Sequence, residues 1–113
     1  MLKIKVTLQY SVTGHGDLSK QTDELMRVML EVEESNSQLS DADVFVVVNQ
    51  RLVDITVAVE AQTWTEAEKL GMQTITDAIR RVGGHVIDDT TPNFADSSDV
   101  MSVSLQSTEL VPA

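Results

Sequence analysis

The chain has 113 residues, 42% hydrophobic and 23% charged, the size and balance of one globular domain that buries a single core without staples. It has no cysteine, which excludes disulfides, thiolate metal sites, iron–sulfur clusters and thiol nucleophiles. Eighteen acidic against eight basic side chains give a formal charge of −10, which repels nucleic-acid phosphate and anionic membranes. The charge serves either solubility or an acidic surface that occupies a basic partner.

Leu2, Ile4, Val6, Leu8, Tyr10 and Val12 alternate with Lys3, Lys5, Thr7, Gln9 and Ser11, the pattern of a strand buried on one face. The N-terminus lacks the continuous apolar run of a signal peptide, so a cytoplasmic location is expected. Gly14-His15-Gly16 breaks the strand, and Asp17 suits the N-cap of a helix that buries Leu18, Thr22, Leu25, Met29 and Val32, its stripe widened by Met26, Val28 and Leu30. Ser35-Asn36-Ser37 ends that helix, and the polar stretch to Asp43 reads as a connector.

Val44-Phe45-Val46-Val47-Val48 and then Leu52 to Ala61, separated by Asn49-Gln50-Arg51, read as a hairpin. In the second arm Val53, Ile55, Val57 and Val59 face the core while Asp54, Thr56, Ala58 and Glu60 face away; the first arm is apolar on both faces. Two overlapping capping boxes, Thr63 with Glu66 and Thr65 with Glu68, start a second helix. Its inner stripe is Ala67, Leu70, Gly71, Thr74, Ile75, Ala78, Ile79 and Val82, with Gly71 allowing close packing on the sheet. Arg80, Arg81 and the left-handed cap Gly83-Gly84 end it. After Val86-Ile87, Asp88 to Asp99 reads as a mobile loop, Val100 to Gln106 as the last strand, and Ser107 to Ala113 as a tail.

The order of periods is therefore strand, helix, strand, strand, helix, strand in one domain over residues 1–113. It predicts an α+β fold of ferredoxin-like βαββαβ order, a four-stranded antiparallel sheet with two helices on one face. The first and third strands are central. On the free face the two central strands would carry Lys3, Lys5, Thr7 and Gln9 beside Asp54, Thr56, Ala58 and Glu60, with no aromatic side chains on those strands for bases to stack on, so direct nucleic-acid binding is not expected.

His15, between two glycines and near a helix N-terminus, is the best single candidate for chemistry; the plainer reading is a solvated turn residue. His85 after the helix cap reads as dipole-compensating or exposed. Asp41/Asp43 and Asp88/Asp89 lack the spacing of a calcium loop, so no metal site and no cofactor is expected. The cluster Glu31, Glu33, Glu34 opposes the dipole of the first helix and points to a surface role. Trp64 reads as a lid across the entrance of the second helix.

The element order, the run Thr65-Glu66-Ala67-Glu68 through Ala78-Ile79-Arg80-Arg81-Val82-Gly83-Gly84 and the terminal Glu109-Leu110-Val111 resemble small ferredoxin-like proteins of actinobacteria and their phages. That resemblance implies a fold and carries over no activity. The chain also resembles, more loosely, an ACT-type small-molecule regulatory domain, whose glycine-containing ligand loop follows the first strand. This resemblance implies a candidate ligand loop at Gly14, His15, Gly16 and Asp17, although Gly14-His15-Gly16-Asp17-Leu18 departs from the usual acidic-proline-glycine pattern.

Three functions are consistent with the sequence. The first is a non-catalytic cytoplasmic module that self-associates or binds a protein partner; the others are a small-molecule regulatory domain and an acidic decoy for a nucleic-acid-binding protein. An enzyme is disfavoured for want of a paired acid, base or nucleophile. The candidate interface is Val44, Phe45, Val46, Val47 and Val48, an edge strand without charge, proline or cover, which predicts a homodimer. A competing possibility is that the Ser107 to Ala113 tail or the Asp88 to Asp99 loop shields it.

Overall fold

A computed structural model describes residues 1–13, 17–87 and 102–113. Strand β1 (Leu2–Thr13) lies inside the sheet, and its alternation explains why it can. Ile4, Val6, Leu8, Tyr10 and Val12 are each at most 2% exposed, while the residues between them look outward. Helix α1 (Leu18–Ser35) begins at Asp17, whose carboxylate accepts the Lys20 N–H at 3.3 Å, and buries Leu18, Thr22, Leu25, Val28 and Met29. Leu30 does not join this stripe and is 48% exposed. One residue past the buried Met29, it is turned about 100° around the helix and falls outside the packed face.

Strand β2 (Leu39–Val47) starts earlier than the sequence suggests. Ser40 to Asp43 breaks the alternation because the register with the next strand shifts there, with Asp41 in the left-handed region at φ 53. Aspartate tolerates that conformation, and Glu33 Oε1 steadies it by accepting the Asp41 N–H at 3.0 Å. A 3₁₀ turn (Val48–Gln50) and left-handed Arg51 lead into β3 (Leu52–Ala61), so Val48 belongs to the turn and not to the strand. Arg51 Nε donates to Val12 O at 3.0 Å, tying the turn to β1.

Helix α2 (Trp64–Arg81) is capped by Thr63, whose hydroxyl accepts the Glu66 N–H at 3.1 Å. The Glu66 carboxylate reaches back to the Gln62 N–H at 3.3 Å, and the alternative box at Thr65 falls inside the helix. Trp64 is 42% exposed in the first turn and is no lid on the core. At the other end Gly83 has φ 82, its N–H bonds Arg80 O at 3.0 Å and the Gly84 N–H bonds Ile79 O at 2.8 Å, the paired bonds of a Schellman cap.

Strand β4 (His85–Ile87) pairs in parallel with β5 (Ser102–Pro112), and the sheet order is β2-β3-β1-β5-β4. The four long strands are antiparallel in the expected ferredoxin-like order, with β4 added outside Ser102–Ser104. The expected tail is instead the second half of β5: Ser107 to Pro112 pairs with β1 and does not fold over β2. A register shift between Gln9 and Tyr10 places Gln106 in a bulge, which reverses the phase of β5 and hides its continuation from a period-two reading.

The core lies between the helices and this sheet. Gly71 of α2 sits directly on Val6, where an added Cβ would be 2.9 Å from Val6 Cβ, Cγ1 and Cγ2. Gly71→Ala should therefore destabilise by about 1–3 kcal/mol in urea titration, although alanine is the better helix former. Val6→Ala in the same chain should couple positively with it by removing two of the three opposing atoms; additive losses would refute the contact.

Tyr10, the single tyrosine, is held above its ordinary value of 10.0 by burial, against a smaller opposing effect of its hydrogen bond with Thr76. Its ionisation is easier unfolded than folded, so its stabilising contribution is complete below the unfolded value and is lost as pH rises through the folded one. An absorbance titration should give a midpoint above 10.0, with stability falling over the same window. A lower midpoint would contradict the packing.

Candidate functional site

The side of the sheet opposite the helices is the open face, and pairing sets its side chains in rows. Phe45, Asp54, Gln9 and Ser107 form one row from β2 to β5; Asp43, Thr56, Thr7 and Glu109 form the next. Then come Ala58, Lys5 and Val111, and beyond them Glu60 beside Lys3. The sequence-based assignment of Lys3, Lys5, Thr7, Gln9, Asp54, Thr56 and Glu60 to this face is thus correct in register. Ala58 shares the face but is only 2% exposed.

Polar contacts hold the middle of the face. The Thr7 and Thr56 hydroxyls are 3.0 Å apart, and Gln106 Nε2 donates to Ser11 Oγ at 3.2 Å. Lys3 faces Glu60 in the ladder, yet its ion pair is with Asp41 at 3.8 Å, across the β2 bulge. Both partners are largely exposed, so this pair contributes little to stability. Between Lys5, Asp41, Asp43, Thr56 and Ala58 lies a shallow depression of about 390 Å³.

The chemistry anticipated for the loop after β1 cannot be placed: Gly14, His15 and Gly16 lie outside the described residues. Asp17 is committed as the α1 cap. The loop Asp88 to Asp99, with Asp88 and Asp89, also lies outside them, as does the side chain of His85, whose backbone is in β4. Among the described residues, no three histidine, aspartate or glutamate side chains are grouped to hold a metal ion. Among them also, no helix is long and apolar enough to cross a membrane.

The candidate interface is divided by the pleat. Val44 and Val46 turn toward the helix side and are half-buried; Phe45 and Val47 stand on the open face, with Phe45 61% exposed. Val48, in the turn, is 52% exposed. Among the described residues β2 pairs only with β3 and its outer edge has no other strand; the Asp88 to Asp99 segment, the alternative shield, lies outside them.

A second surface was not anticipated as a site. Leu30 and Leu39 form the floor of a groove of about 620 Å³ beside α1, bounded by Arg27, Glu31, Glu33 and Glu34. Its only sequence signal is the acidic cluster. Arg27 bridges Glu24 at 3.0 Å and Glu31 at 2.7 Å, Glu31 also meets Arg81 at 3.6 Å, and Glu33 holds Asp41.

These features define an α+β protein of ferredoxin-like architecture whose sheet face opposite the helices and outer β2 edge are uncovered among the described residues. No family model and no curated protein matches the chain. Among solved structures it is similar to LFR1 1, a de novo designed protein with a ferredoxin fold solved in solution by NMR, at 14% identity over 95% of this chain and 87% of that one, with a TM-score of 0.45.

The two faces should answer differently to truncation. Ile55→Ala removes a side chain 1% exposed and should cost about 2–5 kcal/mol. Thr56→Ala, on the open face, should cost about 1 kcal/mol for its hydroxyl contact with Thr7. Equal losses in urea titration would overturn the strand phase.

Proposed function

We propose that this protein is a non-catalytic interaction module, acting in the cytoplasm, that self-associates through the outer edge of β2. The observation that supports this reading is the exposed, uncharged edge from Val44 to Val47, with Phe45 projecting from it. Soluble proteins ordinarily protect such an edge with charge, bulges or a covering element. Here the bulge and the carboxylates of Asp41 and Asp43 protect only the first half of β2.

A second copy fits that edge because antiparallel pairing of identical strands is self-complementary about a two-fold axis. With the axis at Val46, Phe45 packs on the partner's Val47, and Asp43 lies past the end of the partner's strand, which stops at Val47, and so stays in solvent. With the axis at Phe45, Asp43 is pressed against the partner's Val47, which desolvates a carboxylate without a partner. The first register is therefore favoured. The reading as non-catalytic is supported by the open-face inventory of threonine, lysine, glutamine and carboxylates, which among the described residues includes no paired base and nucleophile.

Light scattering at micromolar concentration should give the mass of a dimer for the wild type and of a monomer for Phe45→Lys and Val47→Lys, with both variants still unfolding cooperatively in urea and only the wild-type midpoint depending on protein concentration. Because the chain has no cysteine, Val46→Cys should also form a covalent dimer on mild oxidation. A monomeric wild type, with the lysine variants folded and unchanged in mass, would exclude the proposal.

A further inference from the structure

We infer that the groove between α1 and the start of β2 is a docking site for a basic amphipathic segment of another protein. Its apolar lining is Leu30, 48% exposed, with Leu39, of which only 4% is exposed. A large aliphatic side chain left open on a helix is unremarkable alone. Here it opens into a groove of about 620 Å³ whose rim carries Glu31, Glu33 and Glu34.

The charge of that rim selects the occupant. The last turn of α1 contains no basic residue, so its carboxylates meet the negative end of the helix dipole unaided. Glu31 engages both Arg27 and Arg81, and Glu33 accepts the Asp41 N–H, whereas Glu34 has no polar partner among the described residues. A lysine or arginine placed over Glu34 would relieve both the unpaired carboxylate and the dipole. Self-association through this groove would set two acidic rims against each other, which disfavours a second copy of this chain at this site. The occupant is therefore a segment with an apolar stripe to cover Leu30 and Leu39 and cations on its flanks, the helix-in-groove mode of recognition.

The test uses a labelled four-turn helical peptide of leucine and lysine in amphipathic order, titrated by fluorescence anisotropy at physiological salt into the full chain. Leu30→Ser should weaken binding roughly tenfold, and Glu34→Lys by at least as much. Glu109→Lys on the open face of β5 changes the net charge equally and should leave affinity within about twofold, because charges beyond a Debye length of about 8 Å are screened. An isomer of the peptide with its leucines dispersed should bind weakly. Phe45→Lys should bind as the wild type does, which separates this site from the β2 edge. Equal weakening by Glu34→Lys and Glu109→Lys, indifference to Leu30→Ser, or a groove filled by self-association that Leu30→Ser abolishes would each overturn the inference.

Discussion

The buried face of β1 is the constraint on which the other elements depend. With β3 on one side and β5 on the other, its phase decides which side of both neighbours meets the helices. Ile4, Val6 and Leu8 stand opposite Val59, Val57 and Ile55, and a slip of one residue would turn all six to the wrong side. The position of α2 follows from the same row, because Gly71 brings the helix down onto Val6. Helix α1 is then joined to α2 at the surface by Glu31 and Arg81, and to the β2 bulge by Glu33 and the Asp41 N–H. A register error in β1 would therefore displace the edge of β2 and the floor of the α1 groove together.

The sequence was most legible where one physical requirement acted alone. Alternation in β1 and β3 reflects burial on one face, and it located Val53, Ile55, Val57 and Val59 correctly. Caps follow from the need to satisfy helix ends: Asp17 and Gly83-Gly84 act as expected, and of the two boxes offered for the second helix the one at Thr63 is made. Where two requirements met, the pattern failed. Ser40 to Asp43 reads as a connector because the bulge interrupts the period, and Ser107 to Pro112 reads as a tail because the Gln106 bulge reverses the phase. Ala58 has a strand neighbour on each side and is covered on the open face, so alternation marks it outward although it is buried. Three-residue β4 is too short to carry any period.

The candidate surfaces were legible in the same uneven way. Five consecutive apolar residues from Val44 to Val48 signal a strand with two apolar faces, and strand order makes that strand an edge. The groove beside α1 has no such signal, because it is made by Leu30 leaving the buried stripe and by Leu39 arriving from another element. Its acidic rim was visible, but the cause was not. Glu31 and Glu33 serve contacts between elements that only the folded chain brings together, and these contacts accept the cost of carboxylates at the wrong end of a helix.

The charge excess acts differently on the two surfaces because its range is short. At physiological salt an exposed charge is felt over about 8 Å, so approach at a given patch depends on the charges beside that patch and not on the total of −10. Val44 to Val48 carries none itself, with Asp43 before it, Arg51 after it and Asp54 beside Phe45 in the neighbouring strand, so the local charge is small against the total, and on the proposed reading copies meet there at less electrostatic cost than over the acidic surfaces elsewhere. The α1 groove has the opposite character: carboxylates border an apolar floor, and a cation gains both Coulomb energy and a partner for Glu34. On the two proposals made above, one composition would sort two kinds of partner: an uncharged strand edge suits an identical strand, an acid-bordered apolar surface suits a basic helix, and neither surface requires the other to be occupied.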